Sequence, residues 1–183
     1  TEYVRKDTHI INVIDPMVAV IAKELGGKNI GLIGTKRTVQ SNVYARKIEE
    51  TNRGIMLHSL ATPLLAPMIE EGFFNNQISH EIIAQYLTDP ILQNIEALIL
   101  ACTHYPLIKN EIREFYSTDL RILDSSEVVA QALKKYLEDE NLINVEKNAT
   151  DHFLVSDYTE SFESSARMFF HRSVQLEKHQ LWD

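Results

Sequence analysis

The sequence predicts an α/β protein built on a mainly parallel sheet, because short apolar runs alternate with longer stretches of helical spacing. The runs are HIINVI (9–14), NIGLIG (29–34), GIMLHS (54–59), ALILA (97–101), RILD (121–124) and HFLVS (152–156). Each is rich in Ile, Leu and Val and too short for a stable helix, so each reads as a buried strand. Strands that alternate with helices join by right-handed crossovers, which set neighbouring strands parallel.

The helices follow in order. DPMVAVIAKEL (15–25) has Asp15 as a cap and Pro16 in its first turn, and it stops before Gly26-Gly27. TKRTVQSNVYARKIEE (35–50) carries a modest stripe of Val39, Val43 and Ala45. SHEIIAQYLTDPILQNI (79–95) starts at a Ser79 cap and kinks near Asp89-Pro90. SSEVVAQALKKYLEDE (125–140) places Val128, Val129, Ala132, Leu133 and Tyr136 on one stripe. TESFESSARMFFHR (159–172) is the last.

Composition narrows the partners. Hydrophobic residues make up 44% and charged residues 24% of the 183, enough for a sizeable core. Lys plus Arg number 18 against 26 Asp plus Glu, a net charge of -8. That balance argues against nucleic acid, whose phosphates need a basic face, but not against a small anionic substrate held in a locally positive site. One cysteine cannot form an internal disulfide, which fits a reducing, cytoplasmic setting. No apolar run approaches the roughly 18 residues of a membrane span. The opening TEYVRKDTHIINVID lacks the layout of a signal peptide and an initiator Met, and begins in mid-pattern, so a preceding segment is expected.

In parallel sheets ligands gather beyond the carboxyl ends of the strands. That rule selects Asp15, Gly34-Thr35, Ser59, Cys102-Thr103-His104, Asp124 and Ser156. Cys102 stands at a predicted strand end with a helix starting near Pro106, close to unpaired N–H groups and a positive helix end. Both favour a thiolate, and His104 can exchange protons near neutral pH. A lone cysteine is as often a small buried hydrophobe. GTKRTVQS (34–41) offers the Thr35 and Thr38 hydroxyls where a helix starts, a place suited to a carboxylate, or simply an ordinary threonine cap. It lacks the spacing of a nucleotide-binding loop. Glu70 and Glu71, in LLAPMIEEG (64–72), are either a solvated helix end or a carboxylate that turns inward to orient a histidine or an amine. His58 reads as structural.

Taken together, these segments resemble the bacterial glutamate racemases of the aspartate/glutamate racemase superfamily. LILACTHYPLI resembles the family's Gly-Cys-Thr-His-Tyr/Phe-Pro segment, and IGLIGTKRTVQSNVY its Gly-Thr-x-x-Thr segment. LATPLLAPMIEEG is similar to Leu-Val-Pro-x-x-Glu, VIDPMVAVI to Val-Ile-Glu-Pro, and FLVSDYTESFESSARMFF to the closing Ser-Gly-Asp-x-x-x-Phe helix, with the glycine absent or replaced by Tyr158. The resemblance implies two similar α/β lobes with the site between them. It also implies racemisation by two cysteines without cofactor or metal, supplying D-glutamate for peptidoglycan. By position, Cys102 is one acid/base thiol, His104 its proton-handling neighbour and Glu70 an assistant. Thr103, Thr35 and Thr38 contact the substrate.

Ala101 replaces the family's usual glycine, and the segments that carry the first thiol have no counterpart. The expected layout is therefore a lead-in at 1–11, a complete lobe at 12–120 and the C-terminal part of the other lobe at 121–183. Such a chain is expected to be inactive or weakly folded alone. A homodimer is compatible with the family. The competing readings are an aspartate or hydantoin racemase, a single-cysteine decarboxylase, or a binding lobe without catalysis. The threonines and the Thr-His after Cys102 favour glutamate.

Overall fold

Asn29–Gly34 (β1), Met56–Ala61 (β2), Ala97–Leu100 (β3) and Arg121–Asp124 (β4) form a wholly parallel sheet in the order β2-β1-β3-β4. The protein is described by a computed structural model that covers residues 5, 8–116, 120–144, 146, 150–170 and 172–180. It divides into two compact units, Thr1–Asn141 and Leu142–Asp183. The sheet belongs to the first.

β3 is buried on both faces: Ala97, Leu98, Ile99 and Leu100 are each 0% exposed. Alternation along the strand sends their side chains to opposite sides. Ala97 and Ile99 join Ile30 and Leu32 of β1 in a cluster with Met17 and Ile21 of α1 (Asp15–Glu24) and Tyr44 and Ile48 of α3 (Val43–Glu50). Leu98 and Leu100 join Ile33 in a second cluster. It includes Leu65, Met68 and Ile69 of α4 (Leu65–Glu70), Ile83 and Leu87 of α5 (Gln77–Leu87), and Ile112 of α6 (Lys109–Tyr116). Helices therefore cover both faces, as a buried parallel sheet requires.

Several expected elements differ. Residues 9–14 form no strand: the Asn12 side-chain carbonyl accepts the N–H groups of Ile14 and Asp15 at 2.9 and 2.8 Å and turns the chain into α1. Ile10 and Val13 are half exposed, at 51% and 53%. Asp15 accordingly sits inside α1 instead of capping it, paired with Lys47 at 2.6 Å, and Lys47 first and Asn12 second hold its carboxyl below the usual range. The stretch 35–50 is two helices, α2 (Lys36–Gln40) and α3, broken at Asn42, whose φ of 53° is left-handed. α5 is capped by Asn76, with Ser79 completing the reciprocal cap from the third helical position. It ends at Leu87, and Asp89-Pro90 starts a separate 3-10 turn.

The unit boundary also moves. β4 hydrogen-bonds to β3, and α7 (Ser125–Asp139) packs on α1. Both were assigned to the other lobe on the sequence, but they lie in the first unit, whose border falls after Asn141. On the α7 stripe, Val128, Val129, Ala132 and Tyr136 are half-buried while Leu133 is exposed. In the second unit, Phe153–Val155 (β5) and Leu176–Lys178 (β6) pair in parallel around α8 (Glu160–Phe170). β6, LEK, has no apolar run to announce it. No helix among the described residues is long and apolar enough to cross a membrane.

Ile99→Ala removes buried methylenes from the centre of the first unit. The expected cost is about 2–5 kcal/mol, read from urea unfolding of the purified protein.

Candidate active site

The carboxyl ends of β1, β2 and β3 continue into loops that stay bonded to one another. Thr62 N–H donates to the Gly34 carbonyl at 2.8 Å, and Ala101 N–H to the Ile33 carbonyl at 2.9 Å. Gly34 is buried where the three loops meet. A Cβ there would lie 3.4 Å from the Ala101 carbonyl oxygen and from the Thr38 side chain, at the near edge of ordinary contact, so the loops close tightly on this residue. Thr35 follows as the cap of α2, its hydroxyl accepting Thr38 N–H at 3.2 Å and lying 3.0 Å from the Thr38 hydroxyl. Lys36 and Arg37 point to solvent. The threonine pair thus serves as an ordinary cap whose hydroxyls stand on the rim.

β3 delivers Cys102, half-buried, and the chain then makes one 3-10 turn at Tyr105–Ile108 before α6 begins. Cys102 Sγ lies 3.6 Å from His104 Nδ1, and His104 Nε2 lies 3.0 Å from Glu70 Oε1, at the end of α4. Thiol, imidazole and carboxylate form a row. With a neutral ring, Glu70 selects the Nε2–H tautomer and leaves Nδ1 as an acceptor facing the thiol. Glu70 reaches His104 from the surface, its side chain 56% exposed, and Glu71 is exposed as well.

The expected thiolate is not the resting form. Desolvation by burial raises the Cys102 pKa and outweighs the backbone N–H groups of His104 and Tyr105, which favour the thiolate. The negative charge of Glu70 raises it further. The helix that starts near Pro106 is a 3-10 turn, and burial outweighs its N–H groups, so the neutral thiol is preferred. A neutral thiol beside an imidazole acceptor can hand over a proton and recover it.

Among the other expected positions, Thr103 is exposed on the rim. Ser59 is not at a strand end, because β2 runs on to Ala61 in register with Gly34. Asp124 is at the end of β4 but caps α7 through Ser126 N–H at 2.8 Å and lies 3.5 Å from Lys109. Ser156 is exposed in the second unit. His58 Nε2 is 3.2 Å from Asn29 Oδ1, a structural contact away from the rim. Sequence reasoning missed Thr62, the residue after the true end of β2, and the Tyr105 hydroxyl, 2.7 Å from the Thr62 hydroxyl. An end to β2 two residues later would have put Thr62 on the list of strand-end residues. No group of three or more His, Cys, Asp or Glu among the described residues could hold a metal ion.

Fold and site define a parallel α/β protein whose reactive side chains stand together at the carboxyl edge of the sheet. A family model described as Asp/Glu/Hydantoin racemase matches residues 5–133, and the chain belongs to that family. Among similar proteins, a glutamate racemase of Chlorobium phaeobacteroides is 37% identical over 161 residues, covering 87% of this chain and 59% of that protein. Another, of Sulfurihydrogenibium, is 32% identical over 174 residues, covering 95% and 64%. The chain thus spans roughly three fifths of the length of these curated relatives. The crystal structure of glutamate racemase from Francisella tularensis in complex with D-glutamate superposes with a TM-score of 0.84 at 34% identity, covering 95% of this chain and 65% of that one. A glutamate racemase isoform from Bacillus anthracis gives 0.87 at 29%, covering 98% and 67%.

Glu70→Gln removes a charge that raises the thiol pKa. The ultraviolet thiolate absorbance of Cys102, followed against pH, is expected to shift to lower pH in this variant, giving more thiolate at a given pH.

Proposed function

We propose that the protein interconverts L- and D-glutamate, with Cys102 as one of the two groups that exchange the α-proton. The observation that carries this reading is the row Cys102–His104–Glu70 at the carboxyl edge of the sheet, in a member of a racemase family. The similarity to proteins named glutamate racemase adds the substrate.

Racemisation needs a base on one face of the α-carbon and an acid on the other. In one direction Cys102, resting as the thiol, gives its proton to the planar carbanion. In the other direction it first passes that proton to His104 Nδ1, and the thiolate then removes the α-hydrogen. Glu70 stabilises the imidazolium formed on the way. Thr35, Thr38 and Thr103 contact the substrate from the rim. The D-glutamate formed supplies peptidoglycan.

The second acid/base is a cysteine that these residues do not contain, since Cys102 is their one thiol. We place it in the part of the relatives' length that this chain does not match. The 183 residues alone are therefore expected to leave glutamate unchanged, while addition of the remaining two fifths, roughly, restores racemisation.

The test is α-deuteration of glutamate in D2O, followed by proton NMR and chiral chromatography. The reconstituted protein is expected to deuterate and racemise, and Cys102→Ser to lose about 10²–10⁴-fold in rate. Full activity in Cys102→Ser removes the thiol from the mechanism. Normal racemisation by the 183 residues alone removes the second cysteine.

A further inference from the structure

Behind the candidate thiol, two hydroxyls are sealed from water. Thr62 and Tyr105 are each 0% exposed, and their oxygens are 2.7 Å apart. The Thr62 hydroxyl also reaches the Gly34 carbonyl at 3.2 Å, and the Tyr105 hydroxyl lies 3.2 Å from the Thr62 carbonyl. Two assignments of the hydrogens satisfy the groups: Tyr105 O–H donates to the Thr62 hydroxyl, which donates to the Gly34 carbonyl, or Thr62 O–H donates to the Tyr105 oxygen, which donates to the Thr62 carbonyl. The chain of bonds ties the ends of β1 and β2 to the turn that follows β3. Burial pushes the Tyr105 phenol up to about 12, so it stays a protonated donor throughout the neutral range.

Tyr105 is also part of the thiol's own turn. Its backbone N–H donates to the Cys102 carbonyl at 3.2 Å and so closes the turn that carries the thiol, and with that of His104 it favours the thiolate. The side chain of one residue is thus bonded to Thr62 while its main chain is bonded to Cys102.

We infer that the Tyr105 hydroxyl, anchored on Thr62, is a positioning group for Cys102: it fixes the turn that Tyr105 N–H closes on the Cys102 carbonyl. A phenyl ring alone fills the same core space but leaves the turn free to rock about Pro106. A hydroxyl bond to Thr62 sets the angle of the peptide planes at residues 104 and 105. Buried hydrogen bonds of this kind gain from the low local dielectric and are costly to break on one side. The inference deepens the proposed function, since it concerns the thiol assigned there to proton transfer.

The single cysteine makes the test clean, because every alkylation event in the chain reports on Cys102. The rate of alkylation by iodoacetamide is measured against pH for the wild type and for Tyr105→Phe, Thr62→Val and Thr62→Ser. Loss of the anchor loosens the two N–H groups and raises the thiol pKa. Tyr105→Phe and Thr62→Val are expected to alkylate about 3–10-fold more slowly on the sloping limb of the profile, with the plateau at high pH unchanged. Thr62→Ser keeps the hydroxyl and should retain the wild-type profile.

A merely structural role lowers the thermal midpoint and leaves the pH midpoint of alkylation where it was; that result overturns the inference. So does a uniform change in rate at all pH values, which marks altered access. If Tyr105→Phe does not fold, Thr62→Val decides. None of these readouts involves turnover, so a failure to racemise glutamate leaves this test intact.

Discussion

The candidate site depends on the burial of β3 on both faces. Its alternating side chains belong to two separate apolar clusters, so the strand can neither slide by one residue nor tilt without exposing both. Burying each large side chain contributes about 1.5–3 kcal/mol, and Leu98, Ile99 and Leu100 act together. The residue that leaves such a strand at its carboxyl end is held as firmly as the strand itself. That residue is followed at once by Cys102, whose position is inherited from the core.

The same burial creates an opposition at the site. The parallel sheet draws Cys102 out of water, which disfavours its charged form. The turn after it supplies N–H groups that favour the charge, and the end of α4 supplies Glu70, which opposes it. Glu70 acts through His104 as well, fixing the imidazole so that its other nitrogen accepts from the thiol. A thiol held neutral but beside an acceptor is suited to a reaction that must run in both directions. The Tyr105–Thr62 bond, reaching across 43 residues of sequence, belongs to the same arrangement, since it decides how the turn presents those N–H groups.

Much of this was legible in the sequence, for reasons that can be named. β1 and β3 are continuous apolar runs because both their faces are covered, and Cys102 and His104 are neighbours by spacing alone. HIINVI reads the same way by composition yet forms no strand, because Asn12 turns the chain and the pattern does not say whether a strand has a partner. GIMLHS was placed two residues early, which hid Thr62, and the pairing of β4 with β3, which groups β4 with the first unit, is a contact that no local signal carries. The contact of Glu70 with His104 was one of two alternatives on the sequence, and only the resemblance favoured it. The raised thiol pKa was misjudged outright: burial is a property of the fold, and it outweighs the N–H groups at the start of the turn credited with lowering it.

The most direct test of the account is whether glutamate occupies the space in front of Cys102. Protein competent for turnover is treated with iodoacetamide in the presence of increasing D- or L-glutamate, and the modified peptide is located by mass spectrometry. The account predicts saturable protection of Cys102 by both enantiomers, with no protection by lysine. A rate of Cys102 alkylation that glutamate does not change, at concentrations that saturate turnover, would contradict it.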